Sequence, residues 1–203
     1  MDLIWLNKLN GADRIQLKYA EICEREFEGK LTYVEMGLAY GGGVQAIGRM
    51  PRWEVYGFDT FEGHPKHLSY DIQSFEAVCM DYWYNDSKYG KDALKIEYQQ
   101  KILDEEGLTN VHLIKGEVKE DSCKDIEKIH LALLDMDMIA PTRTGFIAVS
   151  DKIVKGGYLM MHDALPKYHL PKIHTFVYEE VVGHGWVVAE ERESAYISVL
   201  KKL

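Results

Sequence analysis

The stretch 34-VEMGLAYGGG-43 joins apolar residues to a glycine-rich turn, and the stretch 56-YGFDTFEG-63 joins apolar residues to an acid. Each pattern predicts a β-strand followed by a turn, and the first turn is expected to open a helix over 44–50. Gly37 and Asp59 are 22 positions apart, close to the roughly 20 expected when a glycine loop and a ribose-binding acid lie on adjacent strands. The two stretches therefore predict a site for a nucleoside-containing cofactor.

The composition predicts one soluble, cytoplasmic domain. The chain has 203 residues, of which 46% are apolar, enough for a sizeable core. Its net charge of −9 disfavours a nucleic acid or an anionic membrane as partner. The N-terminus lacks the pattern of a signal peptide, and no apolar run is long enough to span a membrane. The three cysteines are widely spaced, which indicates reduced thiols rather than disulfides or a zinc site.

The periodicity predicts strands that alternate with helices, and hence a mostly parallel sheet covered on both faces. Strands are expected near 31–36, 53–58, 111–114, 130–136, 158–162, 186–189 and 196–200. One helix should start at Asp13, one should cover 91–106, one should run from Pro141 to about Lys155, and the last should start at Pro171. Only residues 190–195 separate the last two strands. This connection is too short for a parallel crossover, so these strands should form an antiparallel hairpin.

The segment 64–90 is rich in aromatic residues and has no clear periodicity. It leaves the strand end that carries Asp59, where ligands bind in open α/β sheets. We interpret it as a lid or substrate wall, part of an insertion over 64–107 that includes the helix 91–106. The alternative is a satellite cluster that packs on a helix.

A dinucleotide is one candidate for the cofactor. The pattern expected for it is G-x-G-x-x-G, whereas positions 37, 39 and 42 are Gly, Ala and Gly. The Cβ of Ala39 would stand where a pyrophosphate must approach the backbone. The match to a dinucleotide site is therefore imperfect.

Two acids, Asp135 and Asp137, follow the buried strand in 131-LALLDMD-137. In an extended chain, side chains at i and i+2 project from the same side. Carboxylates at the end of a buried strand are costly unless they bind a cation or transfer protons. The pair therefore predicts a chemical role.

A third acid, Asp163, ends the next predicted strand directly after His162. If the two strands are neighbours, the three acids converge at the edge that carries the glycine turn. Such a group suits a hard divalent cation such as Mg²⁺, with the histidine as a further ligand. The alternative is that Asp137 and Asp163 cap the helices that follow them.

In order along the chain, the motifs are Glu35-Met36-Gly37, 57-GFDTFEG-63, Leu134-Asp135-Met136-Asp137 with Ala140-Pro141-Thr142, and Gly156-Gly157-Tyr158 with Asp163. This series resembles the macrocin O-methyltransferase family from about Leu31 to the C-terminus. The resemblance implies a class I S-adenosylmethionine-dependent methyltransferase with a seven-stranded, three-layer, Rossmann-like α/β fold. It also implies a small-molecule or sugar hydroxyl as substrate, Mg²⁺ as an aid to catalysis, and a homodimer.

The resemblance also implies a role for each site residue. These are Glu35, Gly37, Gly43, Asp59, Glu117 and Asp135 for the cofactor, Asp135, His162 and Asp163 for the metal, and Asp137 as general base. Within the first group, Asp59 would bind the ribose and Glu117 would lie by the adenine.

The chain departs from the family pattern at two site positions. Gly43 replaces a common serine, and His162 replaces the first of two tandem acids. The segment before the first strand is also short. Two other functions stay open on the sequence: an NAD-dependent oxidoreductase, and a non-catalytic Rossmann-like binding protein.

Overall fold

The computed structural model describes residues 11–63, 91–165 and 171–203. Its helices are α1 (Gly11–Glu26), α2 (Gly42–Gly48), α3 (Ile96–Glu105, after a 3-10 turn at Lys91–Leu94), α4 (Ile139–Ser150) and α5 (Pro171–Thr175, continued as a π-helix over Phe176–Val181). Its strands are β1 (Leu31–Met36), β2 (Trp53–Asp59), β3 (Val111–Lys115), β4 (Ile129–Leu134), β5 (Ile153–His162), β6 (Trp186–Arg192) and β7 (Ile197–Lys202).

The seven strands form one sheet in the order β3-β2-β1-β4-β5-β7-β6. The first five strands pair in parallel, whereas β7 runs antiparallel to both β5 and β6. Both the mostly parallel sheet and the antiparallel hairpin predicted from the sequence are confirmed. The carboxyl ends of β1, β2, β4 and β5 consequently meet at the same edge.

Apolar side chains cover both faces of the sheet. One cluster joins α1, α2 and α3 to the sheet through residues such as Tyr19, Ile47 and Leu103. The other joins α4 and α5 to the opposite face through residues such as Val149 and Ile173. Because β4 is covered on both faces, all six of its residues are buried, which fits the apolar run 131–134 within it.

The fifth strand differs from the prediction. It begins at Ile153, whereas the sequence predicted a start at residue 158. The preceding helix, α4, ends at Ser150, whereas the sequence predicted an end near residue 155. Gly156 has a positive φ of 82°, and the register of β5 against β4 shifts in this region. The two glycines that indicated a turn therefore form an irregularity within a longer strand.

Arg52 fixes the carboxyl end of α1. Its guanidinium donates hydrogen bonds to the carbonyl oxygens of Glu24 (2.9 Å), Phe27 (2.5 Å) and Gly29 (2.9 Å). Glu24 belongs to the last turn of α1, where carbonyls lack intrahelical donors, and Phe27 and Gly29 follow the helix. The side chain of Arg52, just before β2, thus orients α1 along the sheet.

The predicted lid, 64–90, lies outside the described residues, and the helix predicted over 91–106 is divided into a 3-10 turn and α3. Within the described ranges, none of the helices combines the length and apolar character needed to cross a membrane.

Candidate functional site

The glycine turn after β1 packs directly against the end of β4. The amide of Asp135 donates to the carbonyl of Met36 (2.8 Å), and the amide of Gly37 donates to the carbonyl of Phe58 (2.9 Å). Gly37 has a φ of 87°, and a Cβ built on it would lie 1.8 Å from the carbonyl oxygen of Asp135. Gly37 is thus required by the packing of the two strand ends, and not only by close approach of a ligand.

Asp59 ties the end of β2 to the glycine turn. Its Oδ2 accepts a hydrogen bond from the amide of Leu38 (2.7 Å), and its Oδ1 accepts one from the amide of Phe61 (2.7 Å). Oγ1 of Thr60 also lies 3.4 Å from Oδ1, so Oδ2 is the oxygen that keeps a second lone pair for a ribose hydroxyl. The amide of Gly116 donates to the carbonyl of Asp59 (2.9 Å), which brings the turn with the exposed Glu117 beside it.

Glu35 lies beneath this turn and is only 4% exposed. The hydroxyl of Tyr33 lies 3.1 Å from its Oε2. Burial raises the pKa of Glu35 well above its usual value, and the nearby charge of Asp13 raises it further. The hydrogen bond from Tyr33 lowers this pKa, but by less than Asp13 raises it. The carboxyl therefore favours its protonated form unless a cation lies beside it.

Two residues of α1 reach the same turn, and sequence reasoning assigned neither to the site. A Cβ built on Gly42 would lie 2.7 Å from Oδ2 of Asp13, and one built on Gly43 would lie 1.7 Å from Oε1 of Gln16. Gln16 therefore occupies the space that a side chain at position 43 would need. The available signal was its spacing, because Gln16 shares a helix face with Tyr19 and Cys23 at i+3 and i+7.

The four groups predicted after β4 and β5 converge. Asp135, Asp137, His162 and Asp163 each offer a ligand atom, and these atoms lie within 4.8 Å of one another. Nδ1 of His162 is 2.9 Å from Oδ1 of Asp135 and 3.0 Å from Oδ2 of Asp163. Despite these short distances, this buried nitrogen makes no well-directed hydrogen bond to any described residue. A nitrogen so placed between carboxylates fits a shared cation.

The electrostatics of this cluster favour a positive charge. Burial alone would lower the pKa of His162, but the carboxylates of Asp135 and Asp163 raise it well above its ordinary value. Burial raises the pKa of Asp135, and His162 opposes that shift. Without a metal, a proton on the imidazole thus supplies the charge that the carboxylates require.

The backbone brings these acids together in an unexpected way. β4 ends at Leu134, and Asp137 has a φ of 59° and Asp163 a φ of 55°. The predicted strand 130–136 thus ends before Asp135, and Asp135 and Asp137 nevertheless lie close together. Such left-handed conformations are strained for residues other than glycine, least so for Asp and Asn, and they cluster at functional sites.

Neither acid stands at the N-cap position of a described helix. The cap residue of α4 is Met138, one position after Asp137. The next helix of the described ranges after Asp163 starts at Pro171.

An aromatic ring borders the acid cluster. Tyr196, which is 41% exposed, precedes β7 and has its ring centroid 6.3 Å from that of His162, edge to face. This contact could not be predicted from the sequence, because it depends on the pairing of His162 with Ile197 across β5 and β7.

No protein-family model matches the chain, and no curated protein matches its sequence. Solved structures do match. The O-methyltransferase NovP superposes with a TM-score of 0.67 at 14% identity, over 94% of this chain and 78% of NovP. The calicheamicin methyltransferase CalS11 superposes with a TM-score of 0.66 at 16% identity, over 95% of this chain and 80% of CalS11.

The chain has the fold of these methyltransferases. A third match is a Streptococcus mutans protein assigned as a methyltransferase and solved in complex with SAH. It has a TM-score of 0.58 at 12% identity, over 96% of this chain and 99% of that protein. At such identities the likeness establishes the class I, Rossmann-like fold, and the chemistry must be argued from the site.

Proposed function

We propose that this chain is an S-adenosylmethionine-dependent O-methyltransferase that acts on a hydroxyl of a small molecule or sugar. A divalent cation, Mg²⁺ or a transition metal, assists, and Asp137 is the general base. The observation that carries the proposal is the contact between Gly37 and Asp135, which joins the cofactor turn to the acid cluster. A cofactor on this turn and a hydroxyl at the acids would therefore be neighbours.

The strand order favours a methyl donor over NAD. Dinucleotide-binding sheets have the order 3-2-1-4-5-6, whereas here the antiparallel β7 is inserted between β5 and β6. NovP and CalS11, which share this fold, are methyltransferases. CalS11 is further described as a TDP-rhamnose 3′-O-methyltransferase, which supports a sugar hydroxyl as one substrate class.

The donors of the acid cluster fit a metal. Asp135, His162 and Asp163 would hold it, two through carboxylate oxygen and one through imidazole nitrogen. A divalent cation bound there would lower the pKa of a coordinated hydroxyl.

The residues of the chain supply the proton transfer and the alignment. Asp137 lies within the cluster and would accept the hydroxyl proton as the oxygen attacks. The glycine turn and Asp59 would hold the nucleoside so that the methyl carbon stands about 3 Å from that oxygen, in line with the bond that breaks. Tyr196 would cover one side of the substrate.

The test is transfer of a labelled methyl group from S-adenosylmethionine to panels of nucleotide sugars and catechols, with Mg²⁺ or Mn²⁺ present. We expect label in one panel and loss of transfer in excess EDTA. Asp137→Asn should retain binding of S-adenosylhomocysteine and lose transfer, whereas Asp125→Asn, an exposed acid, should match the wild type. Normal transfer by Asp137→Asn would remove the assigned base.

A further inference from the structure

One buried side chain of α3 contacts the backbone of the glycine turn. Gln99 is only 2% exposed, and its Nε2 donates a hydrogen bond to the carbonyl oxygen of Ala39 (2.6 Å). Its neighbour Gln100 is exposed and donates to Oδ1 of Asp104 within the same helix (2.9 Å). Of these two adjacent glutamines, Gln99 is therefore the one that joins α3 to the turn.

This contact fixes the orientation of the Gln99 amide. A carbonyl oxygen accepts and does not donate, so Nε2 must face Ala39 and Oε1 must point to the other side. There, Oε1 lies 2.6 Å from a Cβ built on Gly41, and it has no hydrogen-bond partner within the described part of the chain. A buried acceptor without a donor costs free energy, which offsets what the Nε2 hydrogen bond contributes. The stability of the fold alone therefore does not explain a glutamine at this position.

The turn that Gln99 contacts has a backbone conformation that alanine disfavours. Ala39 has a φ of 47° and Gly41 a φ of 68°, both in the left-handed region. The amide of Gly41 donates to the carbonyl of Leu38 (2.8 Å) and closes the turn. The left-handed conformation is unfavourable for a residue with a Cβ, so Ala39 is the residue of this pair that needs support. Gln99 supplies it by holding the carbonyl of that residue.

Two polar side chains from different elements thus hold consecutive residues of the turn. Oδ2 of Asp59 accepts a hydrogen bond from the amide of Leu38 (2.7 Å), and Gln99 donates to the carbonyl of Ala39. In a trans peptide the C=O and the N–H point in opposite directions. Fixing this carbonyl towards α3 therefore directs the next amide of the turn away from α3. Gln99 in this way sets how the turn presents its backbone relative to Asp59.

We propose that Gln99 is a positioning residue for the cofactor, which holds the glycine turn in the conformation that binds the methyl donor. The inference rests on the proposed function, and it makes α3 part of the support of the cofactor site. Gln99 acts through the carbonyl of Ala39, so it affects binding without touching the ligand.

The test is calorimetric titration of two variants of similar size, Gln99→Met and Gln99→Glu, with S-adenosylhomocysteine. Methionine has no donor, and an ionised glutamate has only acceptors. At about pH 9 both variants should bind about 3- to 10-fold more weakly than the wild type, the effect of one neutral hydrogen bond. Gln100→Met and Gln100→Glu alter the exposed neighbour and should bind as the wild type does.

The pH dependence of binding distinguishes positioning from a purely structural role. A protonated carboxyl group can donate to the carbonyl of Ala39, whereas a carboxylate cannot. The affinity of Gln99→Glu relative to the wild type should therefore recover as the pH falls from about 9 to about 5. The relative affinity of Gln99→Met should stay low over the same range. Without ligand, the melting temperature of Gln99→Met should stay within about 4 °C of the wild type.

The outcomes separate the two proposals. If the wild type does not bind S-adenosylhomocysteine, the proposed function fails. If the wild type binds it and both Gln99 variants bind it equally well, only the positioning role fails. A relative affinity of Gln99→Glu that does not change with pH would also overturn the inference, and this result does not depend on whether Gln99→Met folds. A fall of more than about 10 °C in the melting temperature of Gln99→Met would instead assign the residue to the stability of the fold.

Discussion

The carbonyl oxygen of Asp135 occupies the space beside Gly37 that a side chain would need. It lies 1.8 Å from the position of a Cβ built on Gly37. This contact joins β1 to β4 at the site edge. We therefore expect Gly37→Ala to lower the free energy of unfolding by about 3 kcal/mol or more, through steric overlap added to a positive φ.

Gly29→Ala is the matched control. Gly29 has a φ of 76° and nothing within 4 Å of a built Cβ, so its substitution should cost only the backbone term, about 1–2 kcal/mol. Urea denaturation of both variants measures the difference. Equal losses would show that Asp135 does not restrict position 37.

Glu35→Gln should change the pH dependence of stability. The pKa of Glu35 is raised by burial well above its ordinary 4.5, so the folded state retains a proton that the unfolded chain releases. The resulting stabilisation is complete below pH 4.5 and is lost as the pH rises through the raised pKa.

The variant lacks this loss. Its free energy of unfolding, relative to wild type, should therefore increase from pH 4 to about pH 7, as measured by urea denaturation. The exposed Glu21→Gln should show no such trend. A difference between Glu35→Gln and wild type that stays constant with pH would contradict the assignment.

His162 should alter the choice of metal. Imidazole favours transition metals, whereas carboxylate suits Mg²⁺ and Mn²⁺. The wild type should bind Co²⁺ and Mn²⁺ more tightly than Mg²⁺, and His162→Asp should reduce the advantage of Co²⁺ over Mg²⁺ about 10-fold or more. Calorimetry with each metal measures the ratio, and His184→Asn, at an exposed position, serves as control. An unchanged ratio would remove His162 from the ligand set.

Gly43→Ser and Gln16→Ala should compensate for each other. The serine Cβ would overlap Oε1 of Gln16 at 1.7 Å, and shortening Gln16 removes that atom. We expect each single variant to lose stability and the double variant to lose less than the sum, with a coupling of about 1 kcal/mol or more. Additive losses in thermal denaturation would show that the two positions do not share this space.

The sequence was sufficient to predict most strands and the edge of the sheet at which the candidate site lies. The reason is that glycine or aspartate follows or ends the apolar strands at that edge. Gly37, Asp59 and Asp135 could be placed since carboxyl ends of parallel strands share an edge. The extended β5 was missed because Gly156 permits both a turn and an irregular strand.

The contributions of Asp13, Gln16 and Tyr196 could not be predicted in the same way. Asp13 and Gln16 reach the site across the packing of α1 on the sheet, which Arg52 helps to orient. Tyr196 reaches it through the pairing of β5 with β7. Contacts of this kind depend on tertiary geometry, which local periodicity does not encode.

The most direct test of the central claim is calorimetric titration of the wild-type protein with S-adenosylhomocysteine and, separately, with NAD, each with and without Mn²⁺. We predict saturable, one-site binding of S-adenosylhomocysteine and no binding of NAD. Saturable binding of NAD without affinity for S-adenosylhomocysteine would contradict the account.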